Sequence, residues 1–421
     1  MDRDFFTRNR QAFEEAMTPD SIAVFFSGSF HRDTCDQLIH PFSVDRNFFY
    51  FTGVAENDIA LLIHKSRNGT AEFLFIPPVD EHYEKWQAKM LRPSEARDIS
   101  GVENILYTYE FDREIGLRMY TDMSARSLYL YSAMAELNEP DTPSGAFANR
   151  FRRSYPSAAI LNSLDIMIAL RRSKQPEEVE MIQSAVDLAG GAMAHMASLM
   201  SPGIYEYQIK AHYQHYLNMH GSAPRFRSIV AAGKNATILH YNKGDYQTKE
   251  GDLVLVDAGA TVGWYLSDLT RTFPVSGRFT DRQRAFYDIV LDAEYEAIGK
   301  MAAGVSEYEV NAVIKSHYAK ALKAMGKIQD DSEVERYYYH GSGHPIGLDL
   351  HECRTSDRML FENSVYTIEP GLYIGDEGFG IRIEDNVLVG KNGVKVLSAA
   401  LPKKPDEVER MVGTMAGRTS H

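Results

Sequence analysis

Short apolar runs separated by segments of helical period mark the first third of the chain. SIAVFF (21–26), DIALLIH (58–64), AEFLFIP (71–77), NILYT (104–108) and SLYLY (127–131) have the β-branched and aromatic content of strands. EHYEKWQAKML (81–91) has the period of a helix, and Phe5, Asn9, Phe13 and Met17, four apart, predict a docked amphipathic helix at the N-terminus. Alternation of this kind predicts an α/β domain. A loop is expected over Asn138 to Phe147, then a helix carrying Leu161, Leu164 and Ile168. In RRSKQPEEVE, Ser173 or Lys174 stands before Pro176 and two glutamates, which marks a helix start. The domain boundary is placed near 165–175, giving an N-terminal α/β domain over 1–168 and a second domain over 169–421.

The second part contains an internal echo. SPGIYEYQI (201–209) returns about 100 residues later as AAGVSEYEV (302–310), so Gly203, Glu206, Tyr207 and Ile209 align with Gly304, Glu307, Tyr308 and Val310. VDAGA (256–260) is likewise echoed by IEPGL (368–372). G-x-x-E-Y is short enough to recur by chance, but echoes in the same order point to duplication. Each half reads as helix, then strands, ending in a hairpin that begins with an acid.

These hairpins hold carboxylates where core is expected. Asp257 ends a run of aliphatics in LVLVDAGATVGWYLSDLTRTF (253–273), and Asp268 follows before a second strand. An unpaired buried charge costs several kcal/mol. A two-residue turn at Val262-Gly263 sets Asp257 opposite Asp268, and a turn at Asp376-Glu377 in the second hairpin sets Glu369 opposite Glu384. A β-bulge breaks either register. A solvated strand end accounts for any one of these acids, whereas two opposed pairs together point to a metal site. HGSGHPIGLDLHE (340–352) brings three histidines close before the second hairpin. Four carboxylates with one imidazole make an oxygen-rich donor set suited to manganese, iron, cobalt or zinc, and two such ions balance four negative charges.

Composition narrows the partners. With 421 residues, two domains are the default; 44% hydrophobic and 24% charged residues are ordinary for a folded protein. A formal charge of -13 argues against a nucleic-acid binder. Two cysteines, Cys35 and Cys353, do not make a disulfide scaffold and fit a reducing cytoplasm. MDRDFFTRNRQAFEEAM has neither the basic start nor the apolar stretch of a signal peptide, and no apolar run approaches the ~20 residues of a membrane span. The expectation is a cytoplasmic protein without membrane partners.

DAG with DLTRTF eight residues on, then GHPIGLDLHE, IEPGLYI and GIRIED, resemble the pita-bread metallopeptidases, and within them the aminopeptidase P group. The similarity extends to NFFYFTGVAENDIALLI (47–63), GKNATILHY and the tail LPKKPDEVE. It implies a creatinase/aminopeptidase P-type N-terminal domain followed by a pita-bread catalytic domain with an internal pseudo-twofold duplication, an α/β (α+β) chain overall. Position by position, it implies metal ligands at Asp257, Asp268, His344, Glu369 and Glu384, with Asp268 and Glu384 bridging two divalent ions, usually manganese. Glu369 matches a proton shuttle as well as a ligand. His240 matches a histidine near nucleophile and substrate, and His351 one that contacts the scissile peptide. His340, Tyr373 and Arg382 resemble residues around the proline-side pocket, with a purely structural role equally open.

The implied reaction is release of the first residue from peptides with proline second, by a metal-bridging hydroxide. His351 would stabilise the oxyanion, and Glu369 would hand a proton to the tertiary proline nitrogen. Pro345 is a departure, because close relatives tend to carry a bulky aromatic after the ligand histidine. Prolidase, an Xaa-Pro dipeptidase, shares fold and ligands and is the main alternative; a metal-free binding module on the same fold would have lost several of the five ligands. The resemblance also implies a homodimer or homotetramer.

Overall fold

The computed structural model describes residues 1–30, 42–120, 125–132, 142–352 and 354–414. Cys35 and Cys353 lie outside the described residues. The chain divides into two compact units, Met1–Arg171 and Arg172–His421.

In the first unit the five expected strands form, with ends shifted by a residue or two: β1 (Ser21–Phe26), β2 (Ala60–Ser66), β3 (Gly69–Ile76), β4 (Asn104–Tyr107) and β5 (Ser127–Leu130). A sixth strand, β6 (Ala159–Asn162), carries Leu161, which the helical period had assigned to a helix; that helix begins later, at Leu164, and runs to Arg171. Among the described residues the sheet order is β4-β3-β2-β1-β5-β6. The β1-β2-β3 meander is antiparallel, while β4, β5 and β6 join in parallel. Helix Arg3–Ala16 buries Phe5, Asn9 and Phe13, the predicted face, and also Arg10, whose guanidinium donates to the carbonyls of Phe51 and Ser100. The helix expected over 81–91 stops at Trp86. Of the expected loop 138–147, residues 138–141 lie outside the described residues, and the remainder opens a helix, Pro143–Ser154. Thr142 accepts from the Gly145 amide and Pro143 occupies the first turn, a start signal that reading Thr-Pro as loop overlooked.

The second unit repeats itself. Helix Pro176–Ser198 packs on Glu206–Met219, and Asp281–Lys300 packs on Glu307–Ala324. The echoed segments make equivalent bonds. The Gly203 amide donates to Thr248 O and the Gly304 amide to Leu360 O; the Glu206 amide donates to Tyr246 O and the Glu307 amide to Arg358 O. Each half contributes a three-stranded sheet. One has the order β11-β8-β7, from β7 (Ile229–Ala232), β8 (Leu253–Ala258) and β11 (Leu269–Pro274), with the small pair β9 (Thr261–Val262) and β10 (Tyr265–Leu266) at its hairpin end. The other has the order β12-β15-β16, from β12 (Val365–Ile368), β15 (Asp385–Gly390) and β16 (Gly393–Val396), with β13 (Gly371–Ile374) and β14 (Phe379–Arg382) as its hairpin. Among the described residues, no helix is long and apolar enough to cross a membrane.

The first hairpin departs from the expected register. Val262 pairs with Tyr265, so Gly263-Trp264 is the turn, and Asp257 faces Thr270 rather than Asp268. Both turn residues have positive φ, 54° at Gly263 and 75° at Trp264, as a type I′ turn requires. Tryptophan is disfavoured there; the Arg225 guanidinium lies 4.0 Å from the Trp264 ring centroid and adds a cation–π contact. The slip is by two residues, an even number, so Asp257 and Asp268 stay on one face and become diagonal neighbours.

The second register is as expected. Gly371 pairs with Arg382 and Ile368 with Asp385, which leaves Glu369 and Glu384 opposite one another where the ladder breaks at Pro370. At the hairpin tip, Glu377 receives a two-bond fork from Arg282, 2.8 and 2.7 Å, and a close contact from Lys327. The Arg282 bonds, with Lys327, hold its carboxyl down to about 2. With an unfolded value of about 4.3, this stabilisation is complete above that pH and lost as pH falls through about 2. Glu377→Gln is therefore expected to cost about 1 kcal/mol at neutral pH, allowing for partial solvent screening. Urea melts should show the deficit shrinking between about pH 4 and pH 2.

Candidate metal centre

The two hairpins bring their acids to the floor of one cavity of about 580 Å³, inside the range of small-molecule sites. Asp257, Asp268, His344, Glu369 and Glu384 line it together with His240, His340, His351 and Arg382. Tyr373 stands behind the wall: its hydroxyl shares a 2.8 Å hydrogen bond with His340 Nε2 and accepts from Arg382 Nη1 at 2.9 Å. Nine of the ten predicted site residues thus reach the cavity, and the tenth supports two of them. Pro345 is buried, and its carbonyl accepts from the Glu352 amide at 3.0 Å.

Asp268, His344 and Glu384 each offer a ligand atom within 4.8 Å of the other two, and all three are buried. His344 Nε2 lies 3.4 Å from Asp268 Oδ2 and 4.0 Å from Glu369 Oε1. The local chain explains how His344 gets there. A β-carbon on Gly343 would sit 2.1 Å from the Thr367 carbonyl, so only glycine lets this segment press against β12. The His344 amide then donates to Thr367 Oγ1, and the Thr367 amide to the His344 carbonyl.

Electrostatics show what the cluster lacks. Burial first, and then the neighbouring Asp257 charge, push the Asp268 carboxyl well above its ordinary range. Glu384 is raised by burial and by Asp268 and Glu369. Burial lifts Glu369 to about 7 against the opposing pull of His344 and Arg382. Arg382 lies beside the acids, its Nη2 2.5 Å from Asp257 Oδ2, and Arg227 also lines the cavity. Asp257 Oδ1 and Asp268 Oδ1 are buried with no protein hydrogen-bond partner. Buried carboxylate oxygens left unpaired are costly. Hard oxygen donors, one imidazole and two orphaned carboxylate oxygens fit divalent cations.

Two residues that sequence reasoning missed complete the floor. Thr270 Oγ1 donates to Glu384 Oε2 at 2.7 Å and accepts from Arg382 Nε at 3.2 Å. Asn386 holds the Asp268 backbone at both ends, accepting from its amide at 3.1 Å and donating to its carbonyl at 2.8 Å. Each lies two positions after an acid on the same strand, hence on the same face, and serves the acid of the other strand. That period-2 position was the available signal.

Residues 180–391 match metallopeptidase family M24, and residues 6–125 match the aminopeptidase P N-terminal domain. The chain is 30% identical to the Xaa-Pro aminopeptidase of Haemophilus influenzae, across 97% of each chain. The chain belongs to metallopeptidase family M24. Among solved structures it superposes on Escherichia coli aminopeptidase P with the inhibitor Pro-Leu, at a TM-score of 0.89 and 29% identity over 100% of both chains. A zinc-substituted form of that enzyme in complex with product gives 0.90 at the same identity and coverage. As an M24 metallopeptidase, the chain needs a divalent-ion site, and the acidic floor has the donors for one.

The remaining histidines frame the space above the floor. The His351 ring meets that of His344 edge-on, centroids 4.3 Å apart. Burial, and then the neighbouring His344, push His351 down to about 4, so its imidazole is neutral at physiological pH. Burial also takes His340 to about 4, with the Arg382 charge in support. His240 lines the same cavity and is exposed.

Proposed function

We propose that this chain is an Xaa-Pro aminopeptidase that removes the first residue from peptides with proline second, using two divalent ions, manganese first among them, with zinc, cobalt and iron as alternatives. The observation that carries this reading is the convergence of four carboxylates and one histidine, from two duplicated halves, on the floor of a single cavity. Asp257, Asp268, His344, Glu369 and Glu384 would hold the ions, and Asp268 and Glu384 are the most buried carboxylates among them. Bound there, divalent ions would lower the pKa of water and polarise the scissile carbonyl.

The chain's own groups do the rest. Glu369 would accept a proton from the attacking water and return it to the proline nitrogen as the bond breaks. That nitrogen is tertiary in the substrate and leaves as a secondary amine only after protonation. Neutral His351 has a ring N–H to donate to the carbonyl oxygen as charge develops there. His240 and His351 flank the peptide. His340, fixed by Tyr373, and Arg382, committed to Asp257 and Tyr373, shape the proline side without a free charge. A homodimeric or homotetrameric assembly accompanies this reading on the strength of the family resemblance, and a cytoplasmic setting on the two cysteines and the acidic N-terminal stretch.

The test is an assay of Xaa-Pro dipeptides, Xaa-Pro-Yaa tripeptides and Xaa-Ala-Yaa controls on manganese-loaded protein. Tripeptide cleavage after the first residue, with the alanine controls at least about 100-fold slower, is expected. Cleavage of dipeptides alone would assign the chain as a prolidase instead.

A further inference from the structure

Behind the acidic floor, on the face of the same strands turned away from the cavity, lies a second cluster of charge. Arg271 follows Thr270, and Asp385 follows Glu384; both side chains are fully buried. Arg271 uses its whole donor fork. Nη1 donates to the carbonyls of Thr270 at 2.9 Å and Glu384 at 2.8 Å. Nη2 donates to Asp385 Oδ1 at 2.7 Å and Leu401 O at 3.2 Å, and Nε to Pro402 O at 2.9 Å. Lys403 closes the cluster, 2.6 Å from Asp385 Oδ2 and 2.9 Å from Glu294 Oε2. Two basic side chains thus face two acidic ones, and burial raises the Glu294 carboxyl to about 8.

Its location gives it consequence. Asp268 and Glu384 belong to different halves of the duplication, on strands of different sheets. Among the described residues, those strands share one backbone bridge, Thr270 with Glu384: the Glu384 amide donates at 3.0 Å, and the return bond is a long 3.4 Å. On the cavity side, Asn386 on the Asp268 backbone and Thr270 Oγ1 on Glu384 add side-chain bonds across this junction; divalent ions demand ligand positions good to about a few tenths of an ångström, so the opposite face needs a brace as well. Arg271 grips the carbonyls of both junction residues with one planar group.

Resting on the assignment of Asp268 and Glu384 as ligands, we propose that Arg271, seated by Asp385 and the Leu401–Lys403 segment, is a positioning residue that sets the spacing of the two halves of the metal site. It thereby sets the affinity for divalent ions. A lysine at 271 keeps the charge and loses the fork, since one ammonium cannot reach both junction carbonyls and Asp385 in a planar array.

The experiment titrates Mn²⁺ calorimetrically into full-length, metal-free protein. The variants are Arg271→Lys, Asp385→Asn and a remote core truncation, Leu322→Ala, each checked by circular dichroism and thermal melting. Arg271→Lys and Asp385→Asn are expected to weaken Mn²⁺ binding about 10- to 100-fold, as loss of a group that orients ligands does. At saturating Mn²⁺ their KM for an Xaa-Pro-Yaa peptide stays within about twofold of wild type, because neither residue touches the cavity. Leu322→Ala lowers the melting temperature and leaves Mn²⁺ affinity within about twofold. The proposal falls if a folded Arg271→Lys binds Mn²⁺ as wild type does, or if Leu322→Ala loses affinity in step with stability, which would make the effect one of general loosening. Should Arg271→Lys fail to fold, Asp385→Asn decides by the same criterion. A wild-type protein that takes up no Mn²⁺ is a different failure: it removes the ligand assignment itself, whereas uptake without cleavage of proline peptides removes the substrate reading and leaves the positioning role standing.

Discussion

Glu384→Gln is expected to lower kcat/KM by about 10³-fold while making the metal-free protein more heat-stable. Glu384 is 2% exposed and lies within ligand distance of Asp268 and His344. An amide keeps the shape and the acceptor for Thr270 Oγ1, but it removes one negative charge and turns an NH₂ toward the cation position. The same substitution relieves the repulsion from Asp268 and Glu369 that raises the Glu384 carboxyl. Activity and stability should therefore move in opposite directions, a signature that simple misfolding does not produce. Steady-state kinetics, metal content by mass spectrometry and melts with and without chelator check all three. Activity within about tenfold of wild type would remove Glu384 from the site.

Removing divalent ions with a chelator should abolish hydrolysis and lower the melting temperature by about 10 °C relative to the metal-saturated protein. The size follows from mass action: ligand at about 1,000 times its dissociation constant adds about 4 kcal/mol, and each kcal/mol shifts a domain of this size by about 2–4 °C. Its cause is local, since without a metal ion four buried or half-buried carboxylates crowd one floor with few cations near them. Added Mn²⁺ should restore both activity and stability. Full activity in protein shown to be metal-free would exclude a metal-dependent reaction.

The duplicated architecture was legible because it is written in local signals. Gly203 and Gly304 start equivalent turns with positive φ, and Glu206 and Glu307 open equivalent helices, so short-range chemistry repeats in the sequence itself. The second hairpin was equally legible, since Gly375 to Gly378 is ordinary turn composition. The first was not. Trp264 adopts a left-handed conformation beneath the Arg225 guanidinium, and no residue-by-residue turn rule anticipates that. The Pro143–Ser154 helix and strand β6 were missed for another reason, as loop and helix period are weak signals over short spans.

The sequence by itself determined which donors this protein has and in what order: four acids at the same places in two related hairpins, with histidines before the second. Chain chemistry is local enough for that, and a register error of two residues still left both aspartates on one face. Only the tertiary structure decided how the donors are held. Thr270 with Glu384, Asn386 with Asp268, Arg382 with Asp257 and Arg271 with Asp385 all join residues more than 100 positions apart. Burial, which lifts Glu369 to about 7 and lowers His351 to about 4, belongs to the assembled floor rather than to any one segment. Hydrogen bonds and desolvation depend on which distant surfaces meet, and the two halves meet only when folded.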